Sequence, residues 1–144
     1  MSFESNSAHH PSIAADCLLI SCTYEKDFLM REFELRSDIV DCVSQAIPLL
    51  ERSFRERSPY RLILFDFDDP TIFIGRIVRT IETLLAKPGN ERVIIDVYAC
   101  SDDSSIKVRK KVSSRKLQFL SKPLTRENCL TFATRYPPSA AVNL

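Results

Sequence analysis

Five times along this chain a short apolar run gives way to a segment with helical spacing, and no other feature limits the fold as strongly. Cys17–Cys22 (CLLISC), Tyr60–Phe65 (YRLILF) and Val93–Tyr98 (VIIDVY) are apolar almost throughout. A strand with one face in water alternates apolar and polar residues, whereas an unbroken run requires cover on both faces. Each run is also too short for a helix of ordinary length. Ile39–Val43 (IVDCV) alternates and is rich in β-branched residues, which predicts a second strand at a sheet edge. Leu117–Leu120 (LQFL) reads as the fifth.

The intervening segments carry a different period. From Thr23 to Leu35, Phe28, Leu29, Phe33 and Leu35 recur at near-helical spacing, with Thr23 as the expected N-cap. Ser44 is expected to cap a helix over Gln45–Arg57, with Ile47, Leu50 and Phe54 on its apolar face. Pro48 then falls in the first turn, where amides lack a helical partner anyway. Ile74–Leu85 predicts a third helix, closed by a turn at Lys87-Pro88-Gly89-Asn90. Asp102–Lys116 is polar and basic with weak helical patterning, and Thr125 opens a last helix to about Arg135. Strands alternating with helices imply an α/β domain with a mostly parallel sheet covered on both faces. Residues 1–15 read as a polar, disordered lead-in, 16–136 as the domain, and 137–144 as a flexible tail. His9 and His10, in the lead-in, read as incidental.

Composition removes several classes of function. A net charge of +1 creates no global field for nucleic acid or membrane. Five scattered cysteines without a CxxC pair argue against zinc or a redox couple and for buried thiols in a reducing compartment. No stretch approaches the roughly 18 apolar residues of a membrane span, and the N-terminus lacks the pattern of a signal peptide. A cytoplasmic location is expected. Lys107, Arg109, Lys110, Lys111, Arg115 and Lys116 form a cationic stretch. No aromatic residue is interleaved for base stacking, so a protein contact is expected there in preference to DNA.

In an open α/β sheet, ligands gather beyond the carboxyl ends of the strands. The residues expected at that rim are Ser21 and Cys22, Asp66, Tyr98 to Cys100, and Lys122. A carboxylate can form an acyl phosphate, and a neighbouring cation can hold its oxygens.

On these residues the chain resembles the receiver domain of two-component response regulators. YRLILFDFDDP is similar to the family pattern YDLILMDxxMP at Tyr60, Leu62, Ile63, Leu64, Asp66 and Pro70. LQFLSKPLTRENCL is similar to ddyLsKPltkeeL at Leu120 through Thr125. The resemblance spans about residues 17–135. It implies a flavodoxin-like three-layer sandwich with strand order 2-1-3-4-5 and about five helices. It makes Asp66 the phosphoacceptor, Lys122 the residue that contacts the phosphoryl group, and Pro123 the proline of a cis peptide. It assigns the switch hydroxyl after the fourth strand to Tyr98 or Ser101.

The sequence also departs from the family. Where receivers carry an acidic pair for Mg²⁺ it has Ser21 and Cys22, leaving Asp66 and Asp68 as the remaining candidate metal ligands. The glycine after the first motif falls one residue late, at Gly75, and none precedes the fifth strand between Ser113 and Leu117. The expectation is therefore a degenerate receiver, a phosphorelay interaction module and not an enzyme, with no catalytic residue assigned. Its expected partner is a histidine kinase or phosphotransfer protein, as a stand-alone regulator or fused within a hybrid kinase. The competing resemblance is to haloacid dehalogenase-like phosphatases, whose DxDxT motif would make Asp66 a nucleophile and Asp68 a general acid. In this chain Pro70 precedes Thr71 in that motif, and the late acidic pair is missing.

Overall fold

The computed structural model describes residues 14–136. The expectations for His9, His10 and the 137–144 tail lie outside the described residues. The elements run β1 (Cys17–Ile20), a 3-10 turn (Thr23–Glu25), α1 (Lys26–Phe33), β2 (Ser37–Val40), α2 (Val43–Arg55), β3 (Leu62–Asp66), α3 (Ile74–Leu85), β4 (Asp96–Ser101), α4 (Ile106–Ser114), β5 (Gln118–Ser121) and α5 (Leu130–Arg135). The five strands form one parallel sheet in the order β2-β1-β3-β4-β5, the topology of a flavodoxin-like fold. Among the described residues, no helix is long and apolar enough to cross a membrane.

The unbroken apolar runs are explained by the two cores they serve. Leu18, Ile20, Ile63, Phe65 and Ala99 point to one face, where α2, α3 and α4 supply Leu50, Ile77 and Val112. Cys17, Leu19, Leu62, Leu64, Tyr98 and Cys100 point to the other, against Leu29 and Phe33 of α1 and Phe132 of α5. Successive side chains of a strand alternate between faces, so two covered faces demand apolar residues at every position.

Several boundaries differ from expectation for local reasons. Thr23 does not cap α1; it lies within the 3-10 turn. Leu35 is not helical: Glu34 takes a left-handed conformation, φ 54°, and the Leu35 amide bonds back to the Leu29 carbonyl, ending α1 and turning Leu35 into the core. α2 begins at Val43 rather than Gln45, so Ser44 is no cap and Pro48 lies in the second turn. β2 lies earlier than Ile39–Val43, and β4 lies three residues later than Val93–Tyr98. Ile94 is 68% exposed, outside the sheet, because pairing with β3 sets Leu62 opposite Asp96 and Asp66 opposite Cys100. The basic segment does form a helix, α4, capped by Ser105 and burying only Val112.

Candidate functional site

Parallel pairing delivers three strand ends to one rim. Asp66 ends β3 opposite Cys100, and Ser101 ends β4 opposite Ser121, the last residue of β5. The Lys122 amide then donates to the Ser101 carbonyl at 3.0 Å, carrying the ladder one residue further. The Lys122-Pro123 peptide is cis. The Leu124 amide bonds the buried carboxylate of Glu25 at 3.0 Å, tying this loop to the turn after β1. Burial pushes the Glu25 carboxyl up, opposed by that amide and by Lys122.

Lys122 lies at the centre. Its Nζ is 2.6 Å from Asp66 Oδ1 and 3.1 Å from Asp68 Oδ2, and its side chain is only 9% exposed. The ring of Tyr24 lies 5.9 Å from the same nitrogen. Burial pulls the ammonium down, but hydrogen bonds to Asp66 and Asp68 outweigh it and hold the group above its ordinary value. Asp66 Oδ1 also accepts from the Asp68 amide at 2.9 Å, whereas Oδ2 accepts from none of the described residues. Asp68 Oδ1 accepts from Ser101 Oγ at 2.5 Å, and its Oδ2 from the Asp102 amide at 2.9 Å. Burial raises the Asp68 carboxyl, but the Ser101, Asp102 and Lys122 donors outweigh it, leaving it below the ordinary value.

Asp66, Asp68, Ser101 and Lys122, singled out in the sequence, thus converge. Tyr98 does not. It is 2% exposed in mid-strand, on the core face against Phe132, because β4 runs on for three residues beyond it. Of the two candidate switch hydroxyls, Ser101 supplies the one at the rim.

The two residues after β1 part company. Ser21, with φ 60°, stays at the rim and donates to Asp69 Oδ2 at 3.0 Å. Cys22 is fully buried, and its thiol neighbours Cys100, whose own thiol is pushed up by that contact and by burial. Neither position offers a carboxylate. Among the described residues, no group of three or more His, Cys, Asp or Glu side chains could hold a metal ion. The two carboxylates proposed for Mg²⁺, Asp66 and Asp68, already share an ammonium. A tight octahedral oxygen cage for Mg²⁺ does not fit these residues.

Sequence reasoning missed the backbone amide of Asp102 and the part played by Asp69. Asp69 accepts from Thr71 N at 2.9 Å and Thr71 Oγ1 at 2.6 Å, an Asx turn that fixes the loop after β3. The D-P-T spacing could have signalled this turn. Neither Asp68 nor Asp69 caps α3, whose N-cap is Phe73. No family model matches this chain, and no curated protein matches it.

Proposed function

We propose that this chain is a degenerate receiver, a module of phosphorelay-type signalling that docks to a histidine kinase or phosphotransfer protein. One observation carries the reading: Lys122 Nζ lies 2.6 Å from Asp66 Oδ1 at the carboxyl rim of a 2-1-3-4-5 sheet, with the Ser101 hydroxyl on the same rim. In the acceptor step, Asp66 Oδ2 attacks the phosphorus of a partner phosphohistidine. The P–N bond breaks, an acyl O–P bond forms, and the leaving imidazole takes a proton from water. Lys122 offsets the negative charge on the phosphoryl oxygens. With no fit for Mg²⁺, the transfer lacks the charge neutralisation a metal supplies and is slow. The lasting role is then docking through α4 and α5. Asp68 is held ionised by three donors, which suits it poorly to the general-acid role of the phosphatase reading. The five free thiols accord with the cytoplasm.

Incubation with phosphoramidate, with and without Mg²⁺, followed by intact-mass measurement, tests the proposal. The expected result is slow gain of a single phosphate, little affected by Mg²⁺ and absent in Asp66→Asn. Steady release of phosphate that depends on Asp68 would favour a phosphatase instead. Absence of any phosphate on the wild type would remove the acceptor role.

A further inference from the structure

An anion with several oxygens is bound where a hydroxyl, a backbone amide and a cation converge. Next to Asp66 the rim supplies one of each: the Ser101 hydroxyl, the Asp102 amide and the Lys122 ammonium. All three are already engaged by a single group. Ser101 Oγ donates to Asp68 Oδ1 at 2.5 Å, while the Asp102 amide and Lys122 Nζ reach Oδ2 at 2.9 and 3.1 Å. Residues from the ends of β4 and β5 thereby close on a carboxylate from the loop after β3.

We infer that Asp68 acts as an internal ligand, filling the three donors, Ser101, the Asp102 amide and Lys122, at which the receiver reading seats a phosphoryl group. The domain therefore rests with its anion donors filled, and an incoming phosphoryl group must displace the Asp68 carboxylate. The seating of that group here and its arrival on Asp66 rest on the function proposed above; the filling of the three donors by Asp68 does not.

Three physical points support this assignment. The occupant is ionised, as a substitute for an oxyanion must be. Its side chain keeps 35% exposure against 9% for Lys122, so it can swing into water without opening either core. Charge balance also makes the occupancy exclusive. One ammonium already faces two carboxylates, and a further anion among them would meet repulsion that no other cation within salt-bridge reach relieves among the described residues. A tethered carboxylate competes at high effective concentration, so free anions at ordinary concentrations do not dislodge it.

The test separates this site from phosphorylation. In the full chain carrying Asp66→Asn, where no acyl phosphate can form at position 66, inorganic phosphate is titrated while the Ser101 and Asp102 amide resonances are followed. The same titration is run after adding Asp68→Asn, which keeps the side-chain shape, and after adding Asp68→Ala. Both additions are expected to tighten phosphate binding by at least about tenfold, the scale of one charge-assisted hydrogen bond. Adding Lys122→Ala to either is expected to abolish that gain. Equal affinity with and without the Asp68 carboxylate, in chains whose spectra show them folded, would overturn the inference. A second arm compares the rate of phosphoramidate labelling in wild type and Asp68→Asn, with faster labelling expected in the variant. If phosphate binding tightens but neither chain is labelled, Asp68 is the internal ligand and the phosphoacceptor reading fails. If both chains are labelled at one rate and affinity is unchanged, the phosphoacceptor reading survives and the internal ligand does not.

Discussion

Asp66 and Asp68, two residues apart on the chain leaving β3, hold the same ammonium, at 2.6 and 3.1 Å from Lys122 Nζ. A fifth strand had to be laid beside the fourth to bring that cation across 56 residues of sequence. Removing it leaves two carboxylates facing each other in a partly enclosed rim. Breaking a buried pair costs about 3–5 kcal/mol. Asp66 and Asp68 keep 18% and 35% of their side chains exposed, so the expected loss for Lys122→Ala is smaller, about 2 kcal/mol. Urea unfolding at neutral pH checks this. The loss should shrink in mild acid, where one of the two carboxylates can take up a proton. A loss that grows in acid would count against the shared-cation geometry.

The acid limb of stability follows from the same cluster. The Asp68 carboxyl lies below its ordinary value of 3.8 when folded, so the unfolded chain binds more protons in that range. Its contribution is present above about 3.8 and is lost as pH falls through the lower folded value. Lys122 is the mirror case: raised above 10.5 when folded, it contributes below that value and is lost only as pH rises through the higher one. The share of these two groups is therefore level through neutral pH and falls in acid, below the range in which the raised Glu25 carboxyl works in the opposite sense. Asp68→Asn should make the acid decline shallower, without abolishing it, because Asp69 and Asp103 are also held low. Urea midpoints from about pH 2 to about pH 7 measure both slopes.

How far the sequence could be read depended on where the deciding contacts lie. α3 was bounded correctly because Ile74, Ile77, Ile81 and Leu84 all face one core at helical spacing, a local signal. The place of β4 was not local. Val93–Ile95 looks more strand-like than Ala99–Ser101, yet pairing with β3 decides the register and pulls the strand three residues on. Asp96, which interrupts the apolar run, begins the strand and is held by Arg135 and Tyr136 at the end of α5. The site divided in the same way. Asp66 and Lys122 stood out through short motifs. The Ser101–Asp68 bond joins residues 33 apart and carries no sequence signature.

The register of β4 sets up a contrast between Tyr98 and Ser101. Tyr98 meets Phe132 with ring centroids 5.6 Å apart at 62°, inside a cluster that includes Phe33 and Tyr136. Tyr98→Ala is expected to cost about 3–5 kcal/mol, the range for deleting a buried aromatic ring. Ser101→Ala removes two hydrogen bonds, the one its hydroxyl donates to the partly exposed Asp68 carboxylate and the one it accepts from the Asp103 amide, and about 1–2 kcal/mol is expected. Urea unfolding of both variants gives the comparison. Tyr98 would have to be moved back to the rim if its truncation proved the milder change.

Pro48 is the sixth residue of α2. A proline in the first turn would be harmless, but the two extra residues at Val43 and Ser44 put this one in the second turn. There it lacks the amide that would reach the Ser44 carbonyl, and its ring crowds that same carbonyl; in a helix interior this costs about 3 kcal/mol. Pro48 is exposed, so the apolar face of Val43, Ala46 and Leu50 does not depend on it. Pro48→Ala restores the bond with the best helix former. Part of the gain is cancelled because alanine frees the unfolded chain, by about 0.4–1 kcal/mol. Some of the crowding has also been relaxed by the native helix, so a net stabilisation of about 1 kcal/mol is expected. It should appear as a higher urea midpoint with an unchanged slope and as slower amide exchange in the first two turns of α2. Lower stability would mean that the ring makes a contact worth more than the hydrogen bond it removes.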